Sequence, residues 1–166
     1  FNKFHSSVPI VASIYTAIFI LTILLTPLSA MLISSVGMKR LLMAAMPFAF
    51  ILVLALFLWD MNPLIALVAF VISTTTYKAL YWVPYHVDFA EFTDKKTRGK
   101  QLSVLLTVSQ LLAIIMPFIG GYIIAQSGYS SLFILSLSIL LFAVFPLFFI
   151  RDKYEKYSYG YTETFK

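Results

Sequence analysis

Long apolar runs alternate with short polar breaks along this chain. Five runs, at residues 9–33, 41–59, 64–89, 102–125 and 132–150, reach or approach the roughly 20 residues a helix needs to cross a bilayer. Within each run the apolar residues are continuous rather than alternating, so the pattern predicts helices and not the strands of a barrel. The first run is too long and uniform for a signal peptide, whose apolar core is about 7–15 residues. The expected fold class is an all-α membrane protein. A bundle of five transmembrane helices occupies residues 1–150, and a polar tail follows at 151–166.

Composition sharpens this reading. Apolar residues make up 61% of the 166 and charged residues 11%, against about 25% charged in an ordinary soluble domain. The mean hydropathy is +0.93. A soluble domain of this size leaves too many residues in contact with water to hide so much apolar surface. A cytosolic enzyme, a nucleic-acid-binding domain and a disordered chain are excluded. The partner to expect is the lipid bilayer, with no nucleic acid.

The net charge of +5 reads as topology. Of twelve Lys and Arg residues, ten lie in alternate breaks or in the tail: Lys39, Arg40, Lys95, Lys96, Arg98, Lys100, Arg151, Lys153, Lys156 and Lys166. The positive-inside rule assigns those segments to the cytoplasm and the N-terminus to the outside of a cytoplasmic membrane. Trp59 and Tyr129 then sit near the outer interface, where amphipathic rings are favoured. Five spans with an outside N-terminus, in a chain that starts at Phe1, lead us to expect one further span ahead of it. Cysteine is absent, which excludes disulfides and Cys-ligated metals.

Each run carries an internal proline: Pro27, Pro47, Pro84, Pro117 and Pro146. In lipid these kink a helix without ending it, which suits either plain bundle packing or helices bent around a cavity. Gly120 and Gly121, just after Pro117, permit close helix approach.

The third run is the most polar. Lys78 lies near its middle, about 16–21 Å from either end at 1.5 Å per residue. A charge at such depth costs about 2.5–3.5 kcal/mol on insertion scales and should face the bundle interior or a wet cavity. Helical spacing puts Thr74, Thr75, Tyr81, Trp82 and Tyr85 on its face. Hydroxyls, rings and one ammonium suit a polar, ring-bearing or anionic small molecule; a structural ion pair with a carboxylate is the other reading. His86, Asp88 and Glu91 cluster near the cytoplasmic end, as a proton relay or as interfacial partners for Arg98 and Lys100. No phosphate-binding glycine loop, HExxH or GxSxG occurs. The sequence therefore predicts no enzyme, no catalytic residue, no metal site and no cofactor.

The segment AMLISSVGMKRLLM resembles the loop between the second and third helices of major facilitator superfamily transporters. Leu32, Gly37 and Lys39 match its pattern; Ala30 stands for a glycine and Ser34 for an acid. From Val83 onward the chain is similar to the family's fourth helix, a basic turn with an Arg-Gly pair, a fifth helix ending P-x-x-G-G, and the start of the sixth. Arg98, Gly99, Pro117, Gly120 and Gly121 match. Met116 directly precedes Pro117 and the upstream glycines of the antiporter form are absent, so proton–drug antiport is not implied. The run from Pro84 to Thr93 is similar to cation–sugar symporters of the same superfamily.

The resemblance implies helices two to six of a six-helix half, with the remainder of the transporter as partner. It implies a small-molecule substrate, and a coupling ion, handled by alternating access. The third span would line the cavity. Gly37, Lys39, Arg40, Asp88, Glu91 and Arg98 would belong to the cytoplasmic gate. The alternative is a small non-transporting membrane scaffold or anchor subunit.

Overall fold

The computed structural model describes residues 8–94 and 96–149, and of residues 91 and 92 only the backbone. The tail at 151–166 and the last residue of the fifth run lie outside the described residues. Among the described residues all regular structure is helical. Helix α1 spans Val8–Val36, α2 Met38–Phe57, α3 Pro63–Phe92 and α4 Arg98–Val144, and a 3-10 turn follows at Phe145–Phe148. All four helices are long and apolar enough to cross a membrane.

The first connection is shorter than the sequence suggests. A single residue, Gly37, separates α1 from α2. Its N–H closes α1 on the Ile33 carbonyl at 3.0 Å, and its own carbonyl accepts from Leu41 at 3.2 Å to open α2. Its dihedrals (φ 91°, ψ 152°) fall in a region open essentially to glycine alone. Lys39 and Arg40 therefore lie in the first turn of α2 and not in a loop. At the other end of α2 the chain turns through Leu58–Asn62. The Asn62 side chain caps α3 by accepting from the Ile65 N–H at 3.2 Å, and Pro63 takes the first helical position, where no N–H is needed.

The fourth and fifth runs follow one another in α4 as two helical segments that meet at Gly128, its one non-helical residue (φ 77°, ψ 174°). An uncharged, proline-free segment at 126–131 gives the chain little reason to form a loop, and one glycine suffices to turn it. The turn is sharp. A Cβ placed on Gly120 would lie 3.8 Å from Leu132 Cδ1, whereas twelve residues of unbroken helix would separate them by about 18 Å. Pro27, Pro47, Pro84 and Pro117 sit inside intact helices. Pro146 differs, because the chain tightens there into the 3-10 turn.

Helices α1, α2 and α3 form the packed part of the bundle. Small buried residues, among them Ala45, Ala49, Ala66 and Ala79, let the helices approach closely, as packing in lipid requires. At the Gly37 end, Ile33, Met38 and Leu41 pack against Leu80, Val83 and Val87 of α3. Helix α4 meets α2 through its second segment, where the Phe133 and Phe57 rings meet edge to face at 5.9 Å. Its first segment exposes large apolar side chains such as Ile114 and Phe118, which is no liability against lipid.

Nothing lies within 4 Å of a Cβ on Gly128, so replacing it isolates the backbone cost. Gly128→Ala should lower the stability of the detergent-solubilised chain by about 1–3 kcal/mol. Gly121→Ala, equally open but within the regular helix, should not lower it. Thermal melts of the two variants make the comparison, and equal melting would refute the assigned turn.

Candidate functional site

Helix α3 carries the site predicted from the sequence. Lys78 is the sixteenth of its 30 residues. The face opposite Lys78, bearing Leu80, Val83 and Val87, packs against the core of α1 and α2. Rings occupy Lys78's own side. Tyr77, Tyr81 and Tyr85, at spacings of four, stack in a ladder with centroids 5.3 and 5.8 Å apart. Trp82 meets Tyr81 and Tyr85 edge to face at 6.0 and 5.8 Å, and His86 stacks on Trp82 at 5.4 Å. Trp82 remains 47% exposed, so the ladder is accessible from outside the α1–α3 core. Stacking of this kind fixes ring orientation and is worth about 0.5–1.5 kcal/mol per pair beyond burial.

The Lys78 ammonium lies over the Phe19 ring of α1, 4.5 Å from its centroid. Among the described residues this ring, and not a carboxylate, is its electrostatic neighbour. A ring face attracts a cation by about 0.5–2 kcal/mol, less than the roughly 2.5–3.5 kcal/mol cost of the charge at mid-depth. The charge is therefore only partly compensated.

Buried hydroxyls on α1 and α3 are also incompletely satisfied. Elsewhere Ser and Thr side chains donate to the carbonyl one turn back, as Thr22 does to Ile18 at 2.7 Å and Ser136 to Leu132 at 2.8 Å. Three buried hydroxyls have no partner among the described residues: Thr74 and Thr75 of α3 and Ser29 of α1. Each such orphan costs about 1–3 kcal/mol. A cavity of about 170 Å³ between α1 and α3 is lined by Ser29, Thr76, Leu25, Leu28, Leu32, Ala79 and Leu80.

The structure thus brings Thr74, Thr75, Lys78, Tyr81, Trp82 and Tyr85 together on one length of α3. Sequence reasoning missed Tyr77, although its spacing of four from Tyr81 was available as a signal. It also missed Phe19 and Ser29, which belong to another helix and leave no trace in the local pattern.

The residues expected at the gate gather at one end of the bundle. Gly37 forms the α1–α2 corner. Lys39 donates from Nζ to the carbonyl of Phe148 at 3.1 Å, joining the start of α2 to the end of α4. Arg40 is exposed and Asp88 half-buried. The side chain of Glu91 lies outside the described residues. Arg98 folds back onto the end of α3. Its Nε donates to Thr93 Oγ1 at 2.9 Å, and its Nη2 donates to the carbonyls of Thr93, at 3.3 Å, and Ala90. Both cations thus satisfy C-terminal carbonyls that no further turn of helix can reach. Pro117 lies within α4. Gly120 packs on Leu132, and Gly121 has open space around it.

The family model described as Major Facilitator Superfamily matches residues 1–163 of the chain. No curated protein and no solved structure matches it.

The three Arg98 contacts predict that Arg98→Gln loosens the α3–α4 turn, with a loss of about 1.5–3 kcal/mol for hydrogen bonds to a charged donor. Arg98→Lys should recover only part of this, because an ammonium lacks the planar fork. Melting in detergent, with protease cleavage between residues 93 and 98, reads the effect. Wild-type behaviour of Arg98→Gln would contradict the capping role.

Proposed function

The chain belongs to the major facilitator superfamily, and on that premise we propose that it moves a small polar solute across the cytoplasmic membrane as a secondary active transporter. The superfamily is one of multi-pass membrane transporters, and midplane sites with alternating access follow from that architecture. In this reading α3 carries the solute site. Lys78 pairs with the polar or negative part of the solute. Tyr81, Trp82 and Tyr85 form its walls, and the unpartnered hydroxyls of Thr74 and Thr75 offer hydrogen bonds.

The observation that carries the reading is the Lys78 ammonium at the middle of a membrane-spanning helix, held against a ring. An ionised group retained at that depth is functional by default, because a neutral residue would stabilise the helix in lipid. A solute anion or dipole that replaced Phe19 as its neighbour would gain the compensation the ring leaves undone.

The cytoplasmic gate is proposed at the Gly37 corner, with Lys39, Arg40, Asp88, Glu91 and Arg98. There charge and carbonyl contacts hold one state and rearrange in the other. The bond from Lys39 to Phe148 is the kind of long-range contact such a rearrangement would break. The charge asymmetry of the breaks supports a cytoplasmic position for this end and an outside position for the N-terminus. The driving force is an ion gradient or the solute's own gradient.

The test is uptake by the full-length protein in vesicles, screened across solutes with and without a proton gradient. Lys78→Ala should cut uptake at least about 100-fold, as expected when one partner of a desolvated charge pair, worth about 3–5 kcal/mol, is removed. Membrane insertion should be unchanged. Uptake by Lys78→Ala at the wild-type rate would take Lys78 out of the site.

A further inference from the structure

Of the three unpartnered hydroxyls, Ser29 is the one that the solute site leaves unused. It is 1% exposed and lines the cavity of about 170 Å³ between α1 and α3. On the α1 side it is flanked by leucines at helical spacing. On the α3 side the wall is Thr76, Ala79 and Leu80.

Pro84 adds a further polar group. It sits inside α3 and is fully buried. A proline has no N–H to offer the residue four positions back, so the Leu80 carbonyl lacks its helical donor. In lipid such a carbonyl needs another partner within the protein. Two hydroxyl-bearing residues and one residue with a freed carbonyl thus border the same space. The chemistry of these groups selects the occupant. A cavity of about 150 Å³ lined only by apolar side chains stays dry, whereas water settles where two to four polar partners are at hand. Water can donate to a carbonyl and accept from a hydroxyl at once, and a carbonyl can only accept. An apolar occupant would leave Ser29 unpaired. A cation is disfavoured, because no carboxylate lines the cavity and Lys78 carries its ammonium two residues beyond Thr76.

We infer that this cavity holds ordered water joining α1 to α3, bonded to the hydroxyls of Ser29 and Thr76 and to the Leu80 carbonyl. The water takes over the backbone bond that Pro84 removes, and it lies where α3 passes from the Lys78 face towards Asp88. The inference rests on the cavity, the buried hydroxyl and the proline, and is independent of the transport reading.

Thermal melts of the full chain in detergent test it by their sign. Ser29→Ala should lower the melting midpoint by about 2–4 °C, the shift expected when a chain of this size loses one hydrogen bond. In a dry cavity the same change removes an unpaired buried hydroxyl, and a raised midpoint would overturn the inference. Pro84→Ala returns an N–H to the Leu80 carbonyl, so the loss from Ser29→Ala should shrink in that background. An undiminished loss would mean that Ser29 bonds back along α1, and would refute the bridge. X-ray radiolytic labelling, which oxidises side chains beside bound water, should mark Leu80 in the wild type and spare it in Ser29→Ala; an unmarked wild-type Leu80 would count against any water there. Wild-type melts in sodium chloride and choline chloride should coincide. A gain in sodium that Ser29→Ala abolishes would assign the cavity to a cation instead.

Discussion

Within a bilayer no water is available to the peptide backbone, so every N–H and C=O must find its partner inside the protein. That requirement accounts for most of what the structure shows. It explains why the described residues are helical. It explains the economy of the corners, where Gly37 ends one helix and begins the next through its own two backbone groups, and Gly128 turns α4 without a loop. It also gives the first and last turns their chemistry. Asn62 accepts an N–H at the start of α3, while Arg98 and Lys39 donate to terminal carbonyls of α3 and of the final 3-10 turn. Even the scattered hydroxyls obey it, most of them bonding back one turn along their own helix.

Departures from this rule fall on two facing helices, α1 and α3. Lys78 carries a charge that a ring only partly compensates, and Thr74, Thr75 and Ser29 bury hydroxyls without partners. All four are on α3 or on the helix that faces it. A bundle shaped by stability alone would fill these positions with apolar residues, since each departure costs on the order of 1–3 kcal/mol. The stacked tyrosines beside them supply rigid walls of low conformational cost. In the proposed reading, a polar solute would meet this unmet polar demand within the ordered aromatic frame.

Much of this was legible in the sequence, and the limits of legibility have physical causes. The apolar runs gave the helical membrane fold because lipid imposes a length and a continuity that single residues cannot disguise. The face shared by Lys78, Tyr81, Trp82 and Tyr85 followed from helical spacing within one element. The tightness of the corners did not follow, because one glycine at Gly37 or at Gly128 makes each turn. Phe19, Ser29 and the bond from Lys39 to Phe148 were also hidden. Each joins residues far apart in the chain, and a local pattern carries no record of which helices become neighbours.

The central claim is that the Lys78 face of α3 is wet while the surface of α4 lies in lipid. The chain has no cysteine, so one introduced thiol reports its own surroundings, and maleimide reacts only with a thiolate that water can reach. In membranes, Tyr81→Cys should react readily with a water-soluble maleimide and Ile114→Cys should stay inert. An inert Tyr81→Cys, or equal labelling of the two, would contradict the account.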